Sequence, residues 1–192
     1  MEQLRSIQSE IDQYSSHIEE GLSLSEITIK YGLNSYRYGS SSFLEALFDP
    51  IQMTPQTVFY DLGSGYGNVI LYGAVKYPDV QFKGIEILEE RNRICVALIE
   101  KEGLANVRAI SGDILKMDIS DGNVFYLYNP LYDFQYAELL EKLYQIALNK
   151  NITVIAESSC NFFDDADWLE QYHFKDIDVL RKIKYYRSKS VD

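Results

Sequence analysis

The stretch VFYDLGSGYGNVIL, residues 58–71, constrains the fold more than any other part of the chain. Its apolar start predicts a buried strand, and a glycine-rich turn then leads into an apolar helical pattern. Because glycine has no Cβ, such a turn lets the backbone approach a ligand closely. The glycines follow the spacing GxGxG, and Asn68 stands where a dinucleotide-binding GxGxxG would place its third glycine. The stretch therefore predicts a nucleotide-like ligand and disfavours a NAD-binding oxidoreductase.

The composition is typical of one globular domain, with 192 residues, 46% hydrophobic and 24% charged. The formal net charge of −11 repels phosphate, so we expect no nucleic-acid partner, whereas a basic protein partner would suit this surface. The start MEQLRSIQSEIDQ is not a signal peptide, and no apolar run reaches the roughly 20 residues that span a membrane. These features predict a cytoplasmic protein with no membrane partner.

The residues that most often bind metals are few and scattered. The chain has two cysteines, Cys95 and Cys160, and two histidines, His17 and His173. Neither pair has the spacing of a zinc site, and a reducing compartment would keep the thiols free. We therefore expect two free thiols and no metal.

The order of the predicted elements indicates an α/β fold. Residues 1–35 are predicted as an N-terminal helical cap, and residues 36–192 as the main domain. The main domain reads as five strand–helix units, then a short helix at Asp164–Gln171 that contains Trp168, then an antiparallel hairpin. We predict a doubly wound, mostly parallel seven-stranded sheet. The apolar stripe of the cap consists of Leu4, Ile7, Ile11, Tyr14 and Ile18.

Polar residues recur at the predicted carboxyl ends of four successive strands, where ligands bind in open parallel sheets. These residues are Asp61 with the glycine turn, Glu86, Asp113 and Asn129. Glu86 lies 86 − 67 = 19 positions after Gly67, close to the offset of about 20 at which an acidic side chain meets a ribose. The pattern favours a ligand that contains a ribose and a base.

These strand ends and the single reversed strand resemble the class I methyltransferases that use S-adenosyl-L-methionine (SAM), over residues 36–188. The resemblance implies that Glu86 binds the ribose hydroxyls and that Asp113 accepts from the adenine amino group. It also implies a methyl acceptor near Asn129. The other cofactor residues that it implies are Asp61, Gly63, Ser64, Gly65, Gly67 and Asn68 at the methionine portion, with Ile87, Gly112 and Ile114 at the adenine ring.

Within that class, YGSSS followed by YDLGSGYGNVIL and GIEI is similar to the histone lysine methyltransferases named for disruption of telomeric silencing, and to their archaeal relatives. The resemblance implies a protein-lysine substrate. It also implies a loop that closes over the cofactor carboxylate, formed here by Tyr38, Gly39, Ser40, Ser41 and Ser42.

The loop after the fourth strand is NPLY, where the eukaryotic enzymes of that family have a doubled asparagine. NPLY also resembles the [DNS]PP[YFW] motif of enzymes that methylate amino groups of adenine or glutamine. The catalytic residues implied are Asn129 and the Pro130 carbonyl, which would orient a nitrogen acceptor, and Tyr132 as the wall of the channel. A small-molecule or nucleobase amine as acceptor, and a non-catalytic SAM- or nucleotide-binding module, remain as alternatives.

Overall fold

The structure is a computed structural model that describes residues 2–19, 44–158, 160–177 and 181–189. Its elements alternate between strands and helices through most of the chain. They are α1 (Glu2–Glu19), α2 (Leu44–Phe48), β1 (Val58–Leu62), α3 (Asn68–Lys76), β2 (Gln81–Glu86), α4 (Glu89–Glu102), β3 (Val107–Ser111), β4 (Val124–Tyr128), a 3-10 turn (Asp133–Gln135), α5 (Tyr136–Ala147), β5 (Thr153–Glu157), α6 (Asn161–Asp164), β6 (Leu169–Asp176) and β7 (Lys182–Ser188).

The seven strands form one sheet in the order β3-β2-β1-β4-β5-β7-β6. Neighbouring strands from β3 to β5 are parallel, and β7 is antiparallel to both β5 and β6. The chain runs outward from β1 to β3 and then returns to place β4 beside β1, which makes the β1–β4 junction the switch point of the sheet. The predicted doubly wound, mostly parallel sheet with a terminal antiparallel hairpin is confirmed.

Helices cover both faces of the sheet, because the central strands are apolar along their whole length. One hydrophobic cluster joins the sheet to α1, α2, α3 and α4, and includes Phe59, Ile70 and Ile94. A second cluster on the other face joins the sheet to α5 and α6, and includes Leu127 and Leu143. The burial of β1, β4 and β5 between these clusters fixes where their carboxyl ends emerge.

Helix α1 packs against helices α3 and α4. Ile7 and Ile11 are buried in the first cluster, and Glu10 forms an ion pair with Lys101 at the end of α4. Tyr14 is 44% exposed, so the prediction that it belongs to the buried stripe is wrong. The rest of the predicted cap, residues 20–35, lies outside the described residues.

The region before the hairpin differs from the prediction. The expected helix at Asp164–Gln171 is wrong, since α6 spans Asn161–Asp164 and Leu169 already begins β6. Leu169 pairs with Ser188 of β7, so long-range strand pairing prevails over the local helical pattern. Trp168 lies in the turn between α6 and β6 and packs against Tyr144, with ring centroids 5.5 Å apart.

Cys95 and Cys160 are both buried and free, as predicted. Within the described ranges, no group of three or more histidine, cysteine, aspartate or glutamate side chains is arranged to hold a metal ion. Nor is any helix there long and apolar enough to cross a membrane.

Candidate active site

The glycine turn after β1 is held against the end of β2. The backbone N–H groups of Gly63 and Ser64 both donate to the Ile85 carbonyl at 2.9 Å. Gly63 and Gly67 have φ angles of +92° and +88°, which only glycine adopts without strain. A Cβ at Gly84 of β2 would lie 2.7 Å from the Ser64 side chain, so glycine at this position lets the turn sit directly on the strand.

The same turn contacts the loop after β4. A Cβ at Gly63 would lie 2.6 Å from the Cβ of Pro130, well inside any normal contact distance. The structure thus brings together the predicted cofactor turn and the predicted acceptor loop, which are 130 − 63 = 67 positions apart in the sequence. A ligand in the turn would lie beside that loop.

Glu86 is the last residue of β2 and is 5% exposed. Its Oε2 atom accepts from the backbone N–H of Gly65 at 2.8 Å, and its Oε1 atom accepts from that of Leu88 at 2.9 Å. Each carboxylate oxygen has further acceptor capacity after one such bond. Glu86 is therefore fixed in orientation at the edge of the turn while it remains able to accept hydrogen bonds from a ligand.

Asp61 is 3% exposed on β1, and two other buried acids end nearby strands: Glu86 on the adjacent β2, and Glu157 on β5, two strands away. Burial, followed by the charges of Glu86 and Glu157, holds the pKa of the Asp61 carboxyl well above its usual range. Three buried carboxyl groups therefore lie near the carboxyl ends of β1, β2 and β5, and an ionised Asp61 is costly there unless a cation is nearby. A positively charged ligand is the natural complement of such a site.

The predicted adenine region lies at the end of β3. Asp113 accepts from the backbone N–H of Leu115 at 3.0 Å, and its other oxygen is 3.1 Å from Lys116 Nζ. Ile114 is buried in the second hydrophobic cluster, whereas Ile87 is half-buried. The Gly112 N–H donates to the carbonyl of Glu86 at 3.0 Å, which ties this strand end to the ribose position.

Two further predicted cofactor residues, Asn68 and Ser64, differ in their hydrogen bonding. Asn68 is the first residue of α3, and its side chain donates to the Gln8 side chain of α1 at 3.2 Å. The N-terminal helix therefore contacts the end of the turn. The Ser64 Oγ atom is buried and has no hydrogen-bond partner within the described ranges. The predicted loop residues Tyr38, Ser40, Ser41 and Ser42 lie outside the described residues.

The acceptor loop begins with an unusual backbone. Asn129 is exposed and has a φ of +45°, an uncommon value for a residue other than glycine. The loop then enters the 3-10 turn, where the Tyr132 backbone N–H donates to the Gln135 side chain at 3.0 Å. The rings of Tyr132 and Phe134 stack with centroids 5.5 Å apart, and Phe134 is 78% exposed. Three residues after Asn129–Pro130, the chain thus presents a solvent-facing aromatic pair.

Sequence reasoning missed two charged residues beside this loop. Glu157, the last residue of β5, is fully buried and paired with Arg181, which directly precedes β7. An acid ending the apolar run TVIAE was a visible signal, but its partner is 24 positions away and is reached only through β5–β7 pairing.

The three acidic residues after β5, Asp164, Asp165 and Asp167, do not act as one group. The Asp164 carboxylate is engaged by Lys184 Nζ at 2.7 Å and by the Tyr186 hydroxyl at 2.8 Å. Asp165 and Asp167 are exposed.

A groove of about 400 Å³ lies elsewhere, lined by Thr153, Glu170 and Arg187 among others. It is at the amino end of β5, opposite the strand ends described above, and is not part of this site.

A sequence model of the family described as "Histone methylation protein DOT1" matches residues 29–108 of the chain. This match covers less than half of the chain, and over those residues the chain is similar to the DOT1 family. The protein-lysine N-methyltransferase of Saccharolobus islandicus (strain REY15A) is 34% identical over 74 residues, which are 38% of this chain and 46% of that protein. The chain therefore spans about half the length of this curated relative. The DOT1-related segment contains the glycine turn and Glu86, and the predicted resemblance is confirmed.

Solved structures share the fold of this chain over most of its length. A SAM-dependent methyltransferase from Aquifex aeolicus aligns with a TM-score of 0.64 at 13% identity, covering 91% of this chain and 98% of that one. An RNA methyltransferase from Salinibacter ruber in complex with S-adenosyl-L-homocysteine aligns with a TM-score of 0.58 at 21% identity, covering 79% and 92%. These likenesses establish the class I methyltransferase fold. They lend no support to the prediction that excludes nucleic acid, since an RNA methyltransferase shares the fold.

Proposed function

We propose that the chain is a SAM-dependent methyltransferase that transfers a methyl group to the side-chain nitrogen of lysine in a protein, with S-adenosylhomocysteine as product. The observation that carries the cofactor is the placement of Glu86. It is buried at the end of β2, oriented by two backbone N–H groups, and adjacent to a glycine turn with open backbone. This arrangement is the one that binds a ribose in doubly wound folds.

The residues present fit SAM at its charged end as well. The α-ammonium group and the sulfonium of SAM carry positive charge, and the buried carboxyl groups of Asp61, Glu86 and Glu157 lie near the ends of β1, β2 and β5. The buried Ser64 Oγ atom, which lacks a hydrogen-bond partner among the described residues, is a further polar group available to this ligand. In this proposal Asp113, Ile87 and Ile114 hold the adenine, and Tyr38 and Ser40, Ser41 and Ser42 cover the cofactor carboxylate.

Bound SAM supplies a methyl group already activated by its sulfonium, so the protein mainly needs to align the nucleophile. The Asn129 side chain and the Pro130 carbonyl orient a neutral amine with its lone pair toward the methyl group. Tyr132 forms the wall of the channel through which the amine enters. The amine proton released after transfer passes to solvent water.

A protein acceptor is supported by the name of the archaeal relative and by the surface around the loop. Phe134 is held by its stack on Tyr132, and the exposed side chains of Asp133 and Glu138 flank it. An aromatic centre with an acidic rim suits a lysine-bearing basic segment. The net charge of −11 points the same way.

A small-molecule or nucleobase amine is the second candidate acceptor, and the observation that favours it is the same aromatic pair. A planar ring can stack on Tyr132, the last residue of NPLY, as readily as an aliphatic side chain can approach that tyrosine. A non-catalytic module that binds SAM or another nucleotide is the third candidate, because Glu86 and the glycine turn account for binding without any acceptor.

Two experiments test these proposals. Titration calorimetry of the purified chain should give micromolar SAM and S-adenosylhomocysteine binding. Binding should be roughly hundredfold weaker in Glu86→Ala and retained in the control Glu89→Gln, an exposed position. No binding to the unmodified chain would remove the methyltransferase proposal altogether.

The second experiment incubates the chain with methyl-labelled SAM and cell lysate, and treats parallel samples with protease or nuclease. Label sensitive to protease supports the lysine proposal. Label resistant to protease transfers the assignment to a nucleobase or small molecule, and binding without any incorporated label favours the non-catalytic module.

A further inference from the structure

Four side chains, from β4, from β5 and from the residue before β7, meet beside the acceptor loop. We refer to Tyr126, Tyr128, Glu157 and Arg181 as the β4–β7 clamp. The Tyr126 hydroxyl donates to Glu157 Oε2 at 2.7 Å. Arg181 Nε donates to Glu157 Oε1 at 3.1 Å, and Arg181 Nη2 donates to the same oxygen. The guanidinium carbon of Arg181 lies 5.1 Å from the centre of the Tyr128 ring.

Stability alone is a poor reason to keep such a cluster. Glu157 has no exposed surface, and the desolvation of a buried carboxylate largely cancels the attraction of its partner. An apolar pair of similar volume would serve the core equally well. Buried ion pairs are often retained where a defined geometry is needed, and the position of the clamp identifies which geometry that is.

The clamp lies immediately before two unusual backbone positions. Tyr128 and Glu157 are paired across β4 and β5. The residues that follow them, Asn129 and Ser158, both have positive φ angles, +45° and +65°. Neither is glycine, so surrounding contacts must hold both strand exits in this disfavoured conformation. The Arg181 guanidinium over the Tyr128 ring is the contact that fixes the residue before Asn129.

We propose that the Glu157–Arg181 pair is a positioning device for methyl transfer. It holds the end of β4 through the Tyr128 ring, and so keeps Asn129 in the conformation that orients the acceptor nitrogen. The inference rests on the proposed function. The glycine turn and Glu86 are held by their own backbone hydrogen bonds, so loss of the clamp should affect the methyl-acceptor position much more than cofactor binding.

Two ligands of the same size separate these effects without knowledge of the acceptor. S-adenosylhomocysteine occupies the cofactor position alone, whereas sinefungin carries an amine where the transferred methyl group of SAM would lie. The ratio of their affinities, measured by titration calorimetry, therefore reports on the position that Asn129 serves. A change in overall folding would move both affinities together.

The decisive variant is the double substitution Glu157→Gln with Arg181→Met. It leaves the net charge of the pair at zero while the guanidinium contact with Tyr128 is lost. We expect sinefungin to bind at least about tenfold more weakly relative to S-adenosylhomocysteine, with S-adenosylhomocysteine affinity within about threefold of the unmodified chain. Arg181→Lys keeps the charge but not the planar contact, and should lower the ratio by about threefold or more.

The matched control is Arg187→Met on β7. It removes an exposed ion pair with Glu170 at 2.9 Å and should leave the ratio of the two affinities unchanged. A ratio within threefold of the unmodified chain in the double variant overturns the proposal, as does a parallel loss of both affinities. If the double variant does not fold, an unchanged ratio in Arg181→Lys overturns it instead. If the unmodified chain binds neither ligand, the proposed function fails first and the inference falls with it.

Discussion

The two sides of the candidate site are built in different ways. The glycine-turn side, residues 61–68 and 84–88, is held by backbone groups: Gly63 and Ser64 donate to one carbonyl, and Gly65 and Leu88 donate to Glu86. The NPLY side, residues 126–135, 157–158 and 181, is held by side chains from separate strands. A backbone-built site depends on glycines and one acid, whereas a side-chain-built site can change with many substitutions.

This difference matches what each side has to do in the proposed function. The cofactor is the same molecule in every turnover, and a fixed backbone cradle suits it. The acceptor determines specificity, and the NPLY side presents residues that are exposed or in a strained backbone conformation, such as Phe134 and Asn129. Strain concentrated at one side of a site is consistent with function there and not with folding needs alone.

The largest effect is expected where the two sides touch, at Gly63. In Gly63→Ala the new Cβ meets Pro130 and the φ of +92° becomes strained. We expect a loss of about 2–5 kcal/mol in the free energy of unfolding, together with weaker SAM binding. Chemical denaturation and calorimetry measure these two quantities.

The control for this prediction is Gly103→Ala, where φ is +63° and a Cβ would meet nothing within 4 Å. Backbone strain alone should cost it about 1 kcal/mol and leave SAM binding intact. Equal losses in the two variants would show that contact between the turn and the NPLY loop is unimportant.

The next effect tests whether the glycine-turn side depends on one acid. Glu86→Ala leaves two backbone N–H groups, those of Gly65 and Leu88, without their acceptor. We expect about 2–4 kcal/mol of lost stability and roughly hundredfold weaker SAM binding, with Glu86→Gln intermediate in both. Thermal unfolding and calorimetry measure them. Wild-type stability in Glu86→Ala would contradict the structural part of this account.

The sequence predicted the glycine-turn side well because its parts are close along the chain. The turn is a contiguous stretch, and Glu86 follows it at a recognisable spacing. The order of the elements along the chain and the terminal antiparallel hairpin also followed from local periodicity. The structure places Glu86 at the end of β2 and the glycines in the turn between β1 and α3, while the role of these residues in holding SAM stays a prediction.

The NPLY side was predicted only as far as its contiguous motif. Asn129 stood out by its place after β4, but the Glu157–Arg181 pair forms only when β7 pairs with β5. The same pairing explains the wrong helix at Asp164–Gln171, because β6 is defined by its register with β7. Long-range strand pairing is not visible in local periodicity, and it determines most of the acceptor side.

A pH effect should separate binding from stability at Asp61. Its pKa is raised, so the folded state favours the neutral acid, and stability should fall as the pH rises from the ordinary aspartate value toward the raised one. Asp61→Asn removes that penalty. The penalty amounts to roughly 1.4 kcal/mol for each pH unit above the ordinary aspartate pKa, up to the raised pKa. We expect the ligand-free variant to be more stable than wild type at pH 8 by thermal unfolding, with SAM binding about tenfold weaker.

The control for this experiment is Asp113→Asn, a more exposed carboxylate, measured at pH 5 and pH 8 in parallel. Its stability should change little with pH relative to wild type. A ligand-free Asp61→Asn chain that is less stable than wild type at pH 8 would mean that ionised Asp61 stabilises the fold, contrary to the charge crowding seen at the strand ends.

The smallest effect on folding is expected at the outer edge of the NPLY side. Phe134 is 78% exposed, so Phe134→Ala should change the free energy of unfolding by less than about 0.5 kcal/mol and leave SAM affinity unchanged. Loss of an aromatic anchor should nevertheless lower methylation of the protease-sensitive fraction by roughly tenfold. Leu148→Ala, 40% exposed just after α5 and far from the loop, is the control. Equal methylation by the two variants would mean that the exposed aromatic pair takes no part in acceptor binding, and would restrict the acceptor side to Asn129, Pro130 and the residues that hold them.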